Sequence, residues 1–342
     1  MSSAQFSPGS TGLLAPLDTW LNNPQVSEIL INQPQEVWVE EGGQLTRHTV
    51  EALTTSMLRN LCQLIANENQ QRLTAEFPLL SGSLRDGSRV QIVLPPTAMH
   101  PTLSIRRNVV IQMRLSHYRE QGFYQKATPF TLTAGMWEQL PDDEKSLVRL
   151  YQHKDWDNFI RTAIQLKKNI VISGGTSSGK TTFLNACLRE IDLNERMLVL
   201  EDAREVDIPH PNQVQLLASK GEQGQAKVDM QQLVQCCLRL RPDRIIMGEI
   251  RGKEILEFVS ACSTGHEGSI TSIHANNPRV AFMRMTQMYK QNNVPSMSDK
   301  DILKELHEVI DIIIQVAKTP NGRLVESVYY KYGDMDSDDS AQ

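Results

Sequence analysis

The segment Gly174-Gly175-Thr176-Ser177-Ser178-Gly179-Lys180-Thr181 constrains this chain more than any other stretch. It fits G-x-x-x-x-G-K-[ST] without a gap, follows the apolar run 169–173 and leads into a helical pattern over 181–190. Glycines let successive backbone N–H groups turn inward around a phosphate, and the amino terminus of the following helix adds partial positive charge. Lys180 is placed to reach the β- and γ-phosphates of a nucleotide. The Thr181 hydroxyl can ligate Mg2+, and Thr182 completes the loop. A chain with this segment is expected to bind ATP with Mg2+ and to build a parallel sheet around the loop.

The second half carries that pattern. Strands are expected at 169–173, 197–200, 245–247, 269–273 and 311–316, with a helix over 228–240 whose Val228, Leu233, Val234, Cys237 and Leu238 share one side. The first hundred residues read as a small α/β unit. Helices are expected at 14–22 and 51–65, the latter with Leu58, Leu61 and Ile65 on one face, and strands at 37–40, 89–94 and 102–107. Glu41-Gly42-Gly43 is a turn. Between 116 and 141 the periodicity fades around Gly122, Pro129, Gly135 and Pro141, the composition of a join between domains.

With 342 residues, 40% of them hydrophobic and 22% charged, the chain has material for two globular domains. No apolar run approaches the roughly 18 residues that span a bilayer, and Met1 to Pro16 lacks the pattern of a secretory signal. A net charge of -5 gives no global field for nucleic acid. Cys62, Cys187, Cys236, Cys237 and Cys262 show no paired spacing, so buried thiols in a reducing compartment are expected.

Three further segments hold acids and histidines. Glu201-Asp202-Ala203-Arg204-Glu205 follows the second strand, where open α/β sheets bind ligands; alone it could equally be a solvated loop or a helix cap. The run 244–251 is an apolar strand ending in Gly248-Glu249, a loose Walker B pattern in which Glu249 must carry the acidic role and help hold Mg2+, if need be through water. His266 and His274 bracket the strand at 269–273. A phosphate sensor, two structural histidines or a metal pair would each suit them, and no third ligand has usable spacing for the metal.

Taken in order, GGTSSGKTT, EDAREV, GEIRG and TGHEGSITSIHANNP resemble the secretion traffic ATPases. LLAPLDTWLNNPQVSEILINQPQEVWVEEGG, LRDGSRVQIVLPP and LSIRR narrow the resemblance to the VirB11 family of type IV secretion and conjugation systems, across about residues 12–330. The resemblance implies an α/β fold: a RecA-like P-loop NTPase domain over 146–330, preceded by a smaller α+β amino-terminal domain over 1–115. Composition rather than the resemblance marks a linker region at 116–145 and a polar, acidic tail over 331–342. The resemblance also implies an ATP-hydrolysing homohexameric motor at the cytoplasmic face of the inner membrane, working with inner-membrane secretion proteins and other secretion ATPases. Residue by residue, Glu205 would orient the attacking water, supported by Glu201 and Asp202. Glu249 becomes the Walker B acid, and His266 and His274 belong to the histidine box. In this superfamily amino-terminal arginines complete the site, and Arg89 and Arg106 are favoured over Arg85 and Arg107. Ser177 departs from the family's usual glycine, which restricts its φ slightly and is expected to be tolerated.

A type II secretion or pilus motor is the nearest rival, but those often carry a cysteine metal site, and this chain has no cysteine cluster. A P-loop kinase would need an acceptor pocket and lid for which no sequence sign exists. A strand translocase would want a basic groove and stacking aromatics, and only 6% of the residues are aromatic.

Overall fold

The computed structural model describes residues 12–107, 137–219, 226–320 and 322–335. The amino-terminal part is a six-stranded antiparallel sheet ordered β3-β2-β1-β6-β5-β4. Its strands are β1 (Val26–Ile31), β2 (Glu36–Glu41), β3 (Gln44–Thr49), β4 (Leu79–Ser83), β5 (Arg89–Val93) and β6 (Thr102–Arg106). Gly42 and Gly43 turn β2 into β3 with φ of +57° and +81°, a left-handed pair that hairpins with two-residue loops favour. Helix α1 (Thr55–Glu68) packs on this sheet through Leu58, Leu61 and Ile65, which have no exposed surface. Burying each contributes about 1.5–3 kcal/mol. The helix starts four residues later than its apolar pattern suggests because Thr54 caps it, the hydroxyl accepting the Met57 N–H at 3.2 Å.

The second sheet has seven strands ordered β13-β12-β7-β11-β10-β8-β9. They are β7 (Ile170–Gly174), β8 (Met197–Glu201), β9 (Gln213–Leu217), β10 (Arg244–Met247), β11 (Ile270–Ile273), β12 (Ile312–Thr319) and β13 (Gly322–Tyr330). All neighbours run parallel except the β12–β13 hairpin. Both faces are covered. Ile170, Ile172, Met197, Val199, Ile246 and Ile312 join one core, while Val171, Leu198, Leu200, Ile245 and Ile313 join the other. Such strands read as continuous apolar runs, which is why the sequence shows them. The helices are α2 (Asp142–Gln152), α3 (Trp156–Gln165), α4 (Lys180–Leu188), α5 (Met230–Cys237), α6 (Ile255–Ser263), α7 (Pro278–Lys290) and α8 (Asp299–Val309). Helix α5 is shorter than its apolar pattern. An Asp229–Gln232 capping box opens it, and Leu238, expected on the buried side, lies past its end and is exposed.

Of the linker region 116–145, residues 116–136 lie outside the described residues. From Trp137 the chain already belongs to the second sheet, because Leu140, Leu147 and Val148 bury in its core. Acids at Asp142, Asp143 and Glu144 occupy the first turn of α2, where the helix dipole favours them. Of the acidic tail 331–342, residues 331–335 form a turn fastened by the Lys331–Asp311 ion pair at 2.5 Å, and the rest lie outside the described residues.

The two sheets meet along the β9 edge. The Leu217 N–H donates to the Thr97 carbonyl at 2.8 Å, Arg241 pairs with Glu40 at 2.5 Å, and Asn32 donates to Asn212 at 3.0 Å. At the centre of this seam Arg196, with no exposed surface, donates to the side-chain oxygens of Asn32 (2.7 Å) and Asn212 (2.5 Å) and to the Leu240 carbonyl (2.9 Å). All five cysteines are free and buried. Among the described residues no helix is long and apolar enough to cross a membrane.

Candidate active site

Parallel strands aim their carboxyl ends at one edge of a sheet, and β7, β8, β10 and β11 do so here around a cavity of about 450 Å3. The loop 174–180 leaves β7 and enters α4. Gly174 closes the strand in a place no side chain could take, since a Cβ there would lie 2.5 Å from both Ser178 Oγ and the Val316 carbonyl oxygen. Gly179 turns into the helix at φ +92°. Ser177 occupies the left-handed region at φ +58°, so the serine adopts the backbone that glycine adopts most easily. Thr176 through Thr182 line the cavity.

From the loop's own Lys180 a chain of charges crosses to the opposite wall. Lys180 Nζ donates to the carbonyls of Gly174 (2.9 Å) and Gly175 (3.0 Å) and lies 3.2 Å from His274 Nδ1. An ammonium only donates, so Nδ1 is the acceptor and the ring proton sits on Nε2, 3.3 Å from Glu249 Oε1. Glu249 Oε2 accepts from Arg251 at 2.9 Å, and Arg251 also pairs with Asp202. Burial, then the cations Lys180, Arg251 and Arg284, hold His274 below its ordinary range against the pull of Glu249. Burial likewise lowers Lys180.

The two acids of the 201–205 segment differ. Glu201 is buried, and its Oε1 accepts the N–H groups of Glu205 (2.8 Å) and Val206 (2.7 Å), so it shapes the loop. Burial raises its carboxyl above the usual range. Glu205 is exposed to the cavity, with Oε2 3.4 Å from Thr181 Oγ1. The glycine at position 248 also has a reason. A Cβ there would lie 3.3 Å from Glu201 Cγ, so this acid occupies the room a side chain would need.

Comparison with known proteins supplies the family. A family model described as Type II/IV secretion system protein matches residues 147–323. The type IV secretion system protein VirB11 of Brucella suis is 34% identical over 326 residues, covering 93% of this chain and 89% of its own length. The chain belongs to the VirB11 family of type IV secretion ATPases. The crystal structure of the Brucella suis VirB11 ATPase in complex with sulphate superposes with a TM-score of 0.87 at 32% identity, covering 95% of this chain and 98% of that one. PtlH of Bordetella pertussis is 34% identical over 94% of each chain.

Within this VirB11-family chain, not every expected residue meets at the cavity. His266 precedes β11, whose amino end is opposite the cavity, and its carbonyl accepts from Ser269 at 2.9 Å. The two histidines of one motif thus lie at opposite ends of a strand. Arg89 and Arg106 stand opposite each other on β5 and β6, Arg106 lying 3.6 Å from Glu28, and neither lines the cavity. Their sheet packs on the β9 edge, four strands away from β7. Arg85 pairs with Glu68 at 2.7 Å, and Arg107 donates to the carbonyls of Trp20, Asn23 and Val26, so these also stay in the first sheet. Sequence reasoning missed Arg251, Ser272 and Arg323, all of which line the cavity. The first two lie inside motifs already singled out. Arg323 arrives from β13 and carried no local signal.

Proposed function

We propose that this chain hydrolyses Mg-ATP at the 450 Å3 cavity as a ring of six copies, each site being finished by arginines of a neighbouring copy. The observation that carries this reading is the chain of contacts from Lys180 of the phosphate loop across the cavity to His274, Glu249 and Arg251, combined with Arg89 and Arg106 lying away from their own chain's cavity. The ring would sit at the cytoplasmic face of the inner membrane and serve type IV secretion, with inner-membrane secretion proteins and other secretion ATPases as partners.

The donors fit Mg2+. The Thr181 hydroxyl lines the cavity from the loop and the Glu249 carboxylate lines the facing wall, hard-oxygen donors that suit a small divalent cation directly or through water. When bound, Mg2+ would neutralise charge on the transferring phosphoryl group. The chain's own residues do the rest. Backbone N–H groups of 175–182 wrap the phosphates, and Lys180 leaves the Gly174 and Gly175 carbonyls for them. His274 loses its Nδ1 partner as Lys180 moves, so the Glu249–Arg251 pair feels whether a phosphate is present. Glu205, whose carboxylate opens to the cavity beside Thr181, orients the attacking water, and Glu201 holds the loop that carries Glu205.

Subunit mixing tests the shared site. Lys180→Ala and the double variant Arg89→Ala/Arg106→Ala should each be nearly inactive alone. Mixed in equal amounts, they should recover about a quarter of the parent ATPase rate, since about one site in four then pairs an intact loop with intact neighbouring arginines. No recovery would place the arginines within their own chain's site or outside the chemistry.

A further inference from the structure

Three cations line the cavity, and two are already engaged. Lys180 spends its three N–H groups on Gly174, Gly175 and His274, and Arg251 is neutralised by Glu249 and Asp202. The third, Arg323, has no carboxylate partner among the described residues. Its Nε donates to the Ser177 carbonyl at 3.3 Å, and its Cδ lies 2.7 Å from where a Cβ on Gly179 would be. That single bond leaves the four N–H groups of Nη1 and Nη2 at the rim of the cavity.

The hairpin register puts it there. Strand β12 pairs Val316 with Gly174, the last residue of β7, and then continues to Thr319. The residues beyond Val316, and Arg323 opposite Lys318, therefore reach past the end of β7 and out over the loop. In a phosphate loop the N–H groups face the anion and the carbonyls face outward. The Ser177 carbonyl, at the left-handed residue of the loop, thus fastens the arginine from outside while its terminal nitrogens stay free.

We propose that Arg323 is a nucleotide ligand, supplied by the chain's own carboxyl-terminal hairpin, that grips the phosphates wrapped by residues 174–182. This rests on the reading of the cavity as the ATP site. A planar guanidinium with two free nitrogens matches a phosphate's paired oxygens, and both ATP and ADP present such oxygens to the loop.

Calorimetry on the full chain with ADP and with inorganic pyrophosphate tests it. Arg323→Gln should weaken both ligands about ten-fold or more, the loss of a charge-assisted pair, and Arg323→Lys should recover part of that loss. In turnover, KM for ATP should rise more than kcat falls. The arginine is exposed, so the thermal midpoint of Arg323→Gln should match the parent and exclude misfolding as the cause. Binding of both ligands within two-fold of the parent would overturn the proposal. So would weakened ADP with unchanged pyrophosphate, which would move Arg323 to the ribose or base. Lys180→Ala measured beside it separates the two claims: unchanged ADP affinity in that variant would sink the nucleotide site itself, whatever Arg323 does.

Discussion

Lys180→Ala is expected to hydrolyse ATP at least about 100-fold more slowly than the parent chain, the scale seen when one preorganised charge is removed from a developing phosphoryl anion. Lys180 is the one cation of the cavity that sits inside the phosphate loop, 8% exposed, with its ammonium on the Gly174 and Gly175 carbonyls. No neighbour can replace it. Arg251 is held by two carboxylates, and Arg323 approaches from the outer rim. Fold stability should change far less than turnover. Phosphate release and the thermal midpoint, measured on the same preparation, separate these effects. Turnover equal to the parent would place the chemistry elsewhere in the molecule.

The sequence exposed this site unevenly, and physics explains where it stopped. Gly174 to Thr182 was readable because a phosphate loop is local: its residue types and their spacing carry the geometry. The central strands β7, β8, β10 and β11 were readable because burial on both faces forces apolar runs. Edge strands were not. β9 alternates half-buried and buried positions, and most of β3 faces solvent, so neither leaves an apolar run. The arginines show the other limit. Arg89 and Arg106 sit in recognisable blocks, but which cavity they serve depends on how two sheets pack, a non-local fact. Arg323 depends on hairpin register alone. His266 and His274 share a motif yet are separated by the length of β11, because a strand carries its two ends apart while spacing in sequence only counts residues. Only the family resemblance set Glu205 over Glu201, since residue type and spacing do not separate two glutamates of one segment. Burial divides them, one spent on backbone N–H groups and the other open to the cavity.

The second large effect concerns the seam. Arg196→Met should lower stability by about 3 kcal/mol, because the Asn32 side-chain oxygen and the Leu240 carbonyl lose their buried donor, each worth roughly 1–3 kcal/mol when left unpaired, while Asn212 keeps only its bond from Asn32. Part of that loss is offset. Burial pushes the Arg196 guanidinium down to about 9, with Arg241 adding to the push and Asp243 and Glu28 opposing it, so the charge itself is held at a penalty that methionine removes. The guanidinium remains charged at neutral pH, and its planar fork spans groups from both sheets that a single ammonium could not reach. Arg196→Lys should therefore also destabilise. Denaturant unfolding followed by circular dichroism reads both, and the midpoint should fall with the slope unchanged if the two sheets still unfold together. A variant as stable as the parent would mean that the seam is held by its other contacts, such as Arg241–Glu40 and Leu217–Thr97.

A nucleotide site finished by a neighbouring copy requires a ring, and the mass of the full chain in solution tests this most directly. Light scattering with Mg2+ and a slowly hydrolysed ATP analogue should give a species near six times 38.6 kDa, about 232 kDa. A clean monomer at 38.6 kDa under those conditions would contradict it, leaving the ATP cavity with no neighbour to complete it.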